Sequence, residues 1–146
     1  MSITLAQAST IVDAALKTGR DSKFMPLVVA VLDAGGHLVA YKREDKSGIL
    51  RFEIAYGKAW GALGMGLGSR TLASRAPKQP AFFTALASVS DGRLIPGPGG
   101  VLIRDKDGDV IGAVGISGDV ADNDEKCAIA GIEAAGLTAD PGKDVT

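Results

Sequence analysis

Few side chains in this sequence can do chemistry beyond packing and solvation. It holds one histidine, His37, and one cysteine, Cys127. Imidazole is the side chain that titrates near neutrality unperturbed, and it is a good axial ligand for a haem iron. His37 opens the return strand of a predicted hairpin, where a turn or surface histidine is the ordinary reading. Lys58 is flanked by Tyr56, Gly57, Ala59 and Trp60 on a predicted helix, so its stem should be half buried and its ammonium directed into a cleft. There it suits a ligand carboxylate, and a salt bridge to Asp124 or Glu125 is the competing reading. The stretch Gly97–Pro98–Gly99–Gly100 either turns the chain or brings backbone amides to a bound molecule, with Gly99 and Gly100 as candidate contacts. Together these groups could serve a small organic acid. Lys58 would hold the carboxylate, His37 or Glu125 would move protons, and the amides of 97–100 would meet an oxyanion.

The acids Asp119, Asp122, Asp124 and Glu125 gather where the last helix should begin. Asp122 with Glu125 reads as a capping-box-like pair, and carboxylates suit the dipole there. Ligand spacing of an EF-hand is absent. Neither a phosphate-loop motif nor a GxSxG nucleophile elbow occurs. Cys127 lies among small residues, where a buried inert thiol is expected.

The elements that must position these groups follow from periodicity. Residues 2–18 carry apolar side chains at helical spacing, with Thr4 and Gln7 as a capping box and Gly19 as the expected stop. Residues 26–33 and 37–43 are β-rich runs joined by Asp-Ala-Gly-Gly, which is hairpin chemistry. A helix is predicted over 47–68, with glycines at 57, 61, 64 and 68 forming one stripe. Close packing against the sheet or another subunit accounts for that stripe, and a flat ligand is the alternative. A connector over 71–76 leads to a helix opened by Pro80, with Phe82, Phe83, Leu86 and Val89 as its apolar side. Residues 90–100 must be a loop, and 101–117 form a second hairpin. The last helix is predicted over 122–136. Gly112, Gly115 and Gly118 within the final strand suit close approach to helices. The order α-β-β-α-α-β-β-α gives an antiparallel sheet with helices packed on it, an α+β fold.

The 146 residues suit one domain with a real core. A net charge of −1 with no basic stripe argues against nucleic-acid binding. The lone cysteine, the absence of a signal-like start and the absence of a long apolar run lead us to expect a cytoplasmic protein with no membrane partner.

Residues 29–43 (VAVLDAGGHLVAYKR), 57–66 (GKAWGALGMG), 97–118 (GPGGVLIRDKDGDVIGAVGISG) and 122–134 (DNDEKCAIAGIEA) resemble the GlcG/HbpS-type proteins, also called the haem-degrading family. The C-terminal domain of PduO proteins is a relative. The resemblance implies a profilin-like fold with five antiparallel strands, the fifth expected in 90–96 or as part of a split strand. It implies homo-oligomers of even order, and haem as ligand in some members. His37 is then the residue available as haem-iron ligand, with Lys58, Gly99 and Gly100 beside the cofactor. The family's GGVPI is GGVLI here, and no Glu-x-x-Glu iron motif is found. A small-molecule enzyme of organic-acid catabolism and a purely structural oligomer are the alternative readings.

Overall fold

The computed structural model describes residues 1–145. Helix α1 (Leu5–Asp21) is followed by the hairpin β1 (Val28–Asp33) and β2 (Leu38–Arg43). Helices α2 (Arg51–Met65), α3 (Ser69–Arg75) and α4 (Pro80–Val89) come next, then the hairpin β3 (Gly100–Arg104) and β4 (Val110–Ser117). Helix α5 (Ala121–Ala134) and a short β5 (Thr138–Asp140) close the chain. The five strands form one antiparallel sheet in the order β2-β1-β4-β3-β5. The expected α+β architecture, with five strands, is the one observed.

Local rules account for much of this. Thr4 and Gln7 make both hydrogen bonds of the capping box and start α1. Gly66, at φ 70°, ends α2 in the left-handed conformation that glycine adopts freely. Helices α1 and α5 cover one face of the sheet, where Ile11, Val12, Val29, Val31, Val114, Ile116 and Ile132 form the main core. Helix α2 covers the other face, with Ala59 and Ala62 against Leu32, Leu102 and Ala113.

Glycine sets the distance between these layers. A methyl group on Gly115, in the centre of β4, would overlap the Ala55 carbonyl of α2. On the far side, a methyl group on Gly131 of α5 would press on the Ile11 carbonyl of α1. The predicted glycine stripe is filled mostly by the chain itself: on α2, Gly57 faces Arg93 and Ile95 and Gly61 faces Leu94, while Gly68, which lies beyond α2 and caps α3, faces Pro141. Close packing, not a flat ligand, occupies those three positions.

Five local expectations are corrected. Gly19 does not stop α1, which continues to Asp21, because the missing side chain at 19 lets Leu27 and Cys127 pack against the helix. Helix α2 starts at Arg51, four residues late. Residues 69–75 form a helix that takes up most of the connector expected over 71–76. The fifth strand is Thr138–Asp140 and pairs with β3 from the C-terminal tail, not from 90–96. On α4, Phe83 is buried but Phe82 and Val89 are exposed, so the expected apolar side is only half used.

Candidate functional site

His37 stands at the tip of the first hairpin, and Asp33 at the end of β1 holds it there. One carboxylate oxygen, Oδ1, accepts the backbone N–H groups of Gly35 and His37, each at 2.9 Å. The same oxygen meets His37 Nδ1 at 3.2 Å. These contacts, the His37 amide first, hold the Asp33 carboxyl below its ordinary value. The imidazole itself is 80% exposed. With Nδ1 facing the carboxylate, Nε2 is left toward solvent.

The hairpin tip rests on α2. Tyr56 Oη donates to the Gly36 carbonyl at 3.3 Å, and Gly36 lies against the Trp60 indole. Between them opens a hollow of about 150 Å³ lined by Ala34, Gly35, Gly36, Trp60, Leu63 and Gly64. Trp60 and Gly64 also border a second, apolar hollow of about 140 Å³ that reaches Leu86 and Val89 of α4. The Arg93 guanidinium lies over the Trp60 ring at 4.1 Å, a cation–π contact.

Lys58 lies elsewhere. Its side chain passes Gly99, just before β3, where the missing side chain leaves room for the stem, while Gly100 packs on the Lys58 backbone carbonyl. Its Nζ donates to the Ile116 carbonyl at 2.9 Å and to Asp124 Oδ2 at 3.2 Å. Lys58 belongs to the α2 layer and Asp124 to the α5 layer, so the pair joins the two layers past the end of the sheet. Both side chains are nearly sealed, at 6% and 1% exposure. Burial lowers the Lys58 pKa and raises that of Asp124, and their mutual attraction opposes both shifts. The Asp119 amide completes the shell by donating to Asp124 Oδ1 at 3.0 Å. The salt bridge weighed for Lys58 is therefore present, with Asp124 as partner.

The other acids have different roles from the expected cap. Val120 is the N-cap of α5 and makes no side-chain cap bond. Asp122 and Glu125 both turn to Arg70 of α3. Glu125 accepts from Arg70 Nε at 2.9 Å, and Asp122 from Nη2. Asp144 in the tail accepts from Nη1 at 3.3 Å. Arg70 thus ties α3, α5 and the tail together, and the Glu125 hydrogen bond leads the causes that raise its pKa. Asp119 accepts from the amides of Met25 and Val120 and from Asn123 Nδ2. Among the described residues, no three His, Cys, Asp or Glu side chains converge as metal ligands. Burial pushes the Cys127 thiol up to about 11, which keeps it protonated at neutral pH.

The structure thus gathers Lys58, Gly99 and Gly100 at one end of β4 and leaves His37 at the other. Asp33 pairs with Gly112, whereas the Lys58 ammonium bonds Ile116. Four residues of strand, about 13 Å, separate the two levels. Glu125, bound by Arg70, completes neither group.

Sequence reasoning missed Arg70, Asp33 and Trp60. For Asp33 a signal existed: an aspartate opening a hairpin turn four residues before the only histidine. Arg70 gave none, because its partners lie 52, 55 and 74 positions away.

A family model described as haem degrading protein HbpS-like matches residues 3–133. Solved structures share the fold at low identity. A PduOC:haem complex superposes with a TM-score of 0.83 at 26% identity, covering 94% of this chain and 97% of that one. The Klebsiella pneumoniae protein ORFY gives 0.82 at 28% identity, with 92% and 90% covered. A double mutant of Streptomyces reticuli HbpS gives 0.79 at 25% identity, with 91% and 86% covered. No curated protein matches the sequence significantly. Among the described residues, no helix is long and apolar enough to cross a membrane.

Proposed function

We propose that this chain, which belongs to the HbpS-like family, binds haem at the open face of its first hairpin, with His37 Nε2 as the iron ligand. The observation that carries the reading is the contact between His37 Nδ1 and Asp33 Oδ1. Metal-ligating histidines commonly donate their second ring N–H to a carboxylate, which fixes the tautomer and raises the basicity of the free nitrogen. Asp33 is placed to accept that N–H from His37 Nδ1, while its two backbone hydrogen bonds hold the carboxylate still. Trp60 and Leu63 offer apolar contact beside the tip, and Arg93 supplies a cation for a propionate. The PduOC:haem complex, on the same fold, supports the choice of ligand.

The donor set fits haem, and the hollow fits part of it. Enclosed ligand sites span roughly 300–1,000 Å³, so the hollow of about 150 Å³ takes an edge of a tetrapyrrole, not the whole ring. When bound, haem supplies an iron centre able to change oxidation state and to take a further small ligand. The chain's own residues hold it: His37 ligates, Asp33 keeps the proton on Nδ1, and Trp60 shields one edge from water.

A homo-oligomer of even order and a cytoplasmic setting complete this reading. Cys127, single and buried, suits a reducing compartment. An organic-acid site centred on Lys58 finds less support, because Asp124 and the Ile116 carbonyl already take its ammonium.

Titration with hemin, followed by visible absorption, tests the proposal. A Soret band saturating at one haem per chain is expected. Asp33→Asn should weaken binding by about 10–100-fold, the usual effect of losing a carboxylate behind a metal-ligating histidine. Absorption that grows without saturating, equally in both proteins, would count against haem as the ligand.

A further inference from the structure

Helix α4 carries an outer surface unlike that of an ordinary surface helix, which turns charged groups to water. From Gln79 to Ser90, twelve residues pass without a charged side chain. Within α4 only Phe83 is buried. Ala81, Thr84, Ala85 and Ser88 face outward, and Phe82 and Val89 stand exposed along one flank. Charge returns only at the two ends, with Lys78 before the helix and Asp91 after it. Both are exposed, and among the described residues the Lys78 ammonium donates to the Val145 carbonyl, at 3.4 Å.

We propose that α4 packs antiparallel against α4 of a second copy of this chain, across a two-fold axis passing between Thr84 and Ala85. Positions 78 and 91 lie equally far along the sequence from that axis. The pairing therefore sets Lys78 of each copy against Asp91 of the partner subunit. A parallel pairing would instead set lysine on lysine and aspartate on aspartate. The antiparallel arrangement also opposes the two helix dipoles favourably. The small side chains at 81, 85 and 88 recur at helical spacing and let two ridges of small residues approach closely. The contact is isologous and closes on itself, as two-fold interfaces do. It buries Phe82 and Val89, which the single chain leaves in water. The inference rests on the homo-oligomeric reading given above and adds the face through which copies meet.

Sedimentation velocity on the full chain tests it with point variants. Wild-type protein is expected to form an even-order assembly. Ala85→Glu places two carboxylates together at the axis and should halve the assembly mass while circular dichroism stays unchanged. Lys78→Glu and Asp91→Lys should each weaken association by about tenfold, and the double exchange should restore it. Ala85→Cys should give a covalent dimer under mild oxidation, since Cys127 is buried. A wild-type assembly whose mass survives Ala85→Glu overturns the α4 face and leaves the oligomeric reading standing. A wild-type chain that stays monomeric at every concentration overturns both, and leaves α4 to a partner of another kind.

Discussion

Asp124→Ala should cost about 3–5 kcal/mol of stability, the range for breaking a buried ion pair from one side. The variant leaves the Lys58 ammonium sealed beside the Ile116 carbonyl with no counter-charge. Lys58→Met should also cost stability. It leaves a buried carboxyl whose pKa burial already raises, and which can take up a proton. The sign of the pH dependence follows. With its folded pKa above the unfolded one, Asp124 binds its proton in the folded state first, so the Lys58→Met deficit shrinks as pH falls through the folded pKa. The paired replacement Lys58→Met with Asp124→Leu should recover most of the loss, because a well-packed apolar pair can match a buried salt bridge. Urea melts of the four proteins at pH 8 and pH 5 measure all of this. Equal stabilities in Asp124→Ala and wild type would mean that the pair does not hold the α2 and α5 layers together.

Gly115→Val should destabilise by about 3 kcal/mol or more, at the upper end of the cost of overpacking a core. The strand position is central: Gly115 pairs with Ala30 on one side and Gly100 on the other. Its α2 face meets the backbone carbonyl of Ala55, and no smaller side chain at 55 can move that oxygen away. Ala55→Gly should therefore fail to rescue Gly115→Val. Rescue by Ala55→Gly would place the clash with the side chain at 55 and contradict the packing described. Thermal melts of the single and double variants distinguish the two outcomes.

The parts of the fold legible in the sequence are those fixed by near neighbours. Thr4 and Gln7 lie three positions apart, and their capping box forms as read. The Asp-Ala-Gly-Gly turn between two β-branched runs gives the first hairpin, because turn chemistry and alternation act over a few residues. What distance in sequence decides was not legible. Gly19 looks like a helix stop, but it is a docking point for Leu27 and Cys127. Asp122 and Glu125 look like a cap because their spacing suits one, yet Arg70 outcompetes the local amides with a charged, two-pronged donor. β5 has only three residues, too few for a periodicity to show. The candidate site divides in the same way. His37 and its Asp33 sit within one turn, whereas the partner of Lys58 was one of two acids until the fold brought α5 to it.

Haem ligation by His37 is the claim on which the functional reading turns, and it is tested most directly by titrating His37→Ala with hemin beside wild type. The expected result is a saturating Soret band in wild type that is lost or shifted in the variant and recovers when free imidazole is added. An identical band, with the same affinity and the same stoichiometry in both proteins, would show that the iron is held elsewhere and contradict the assignment.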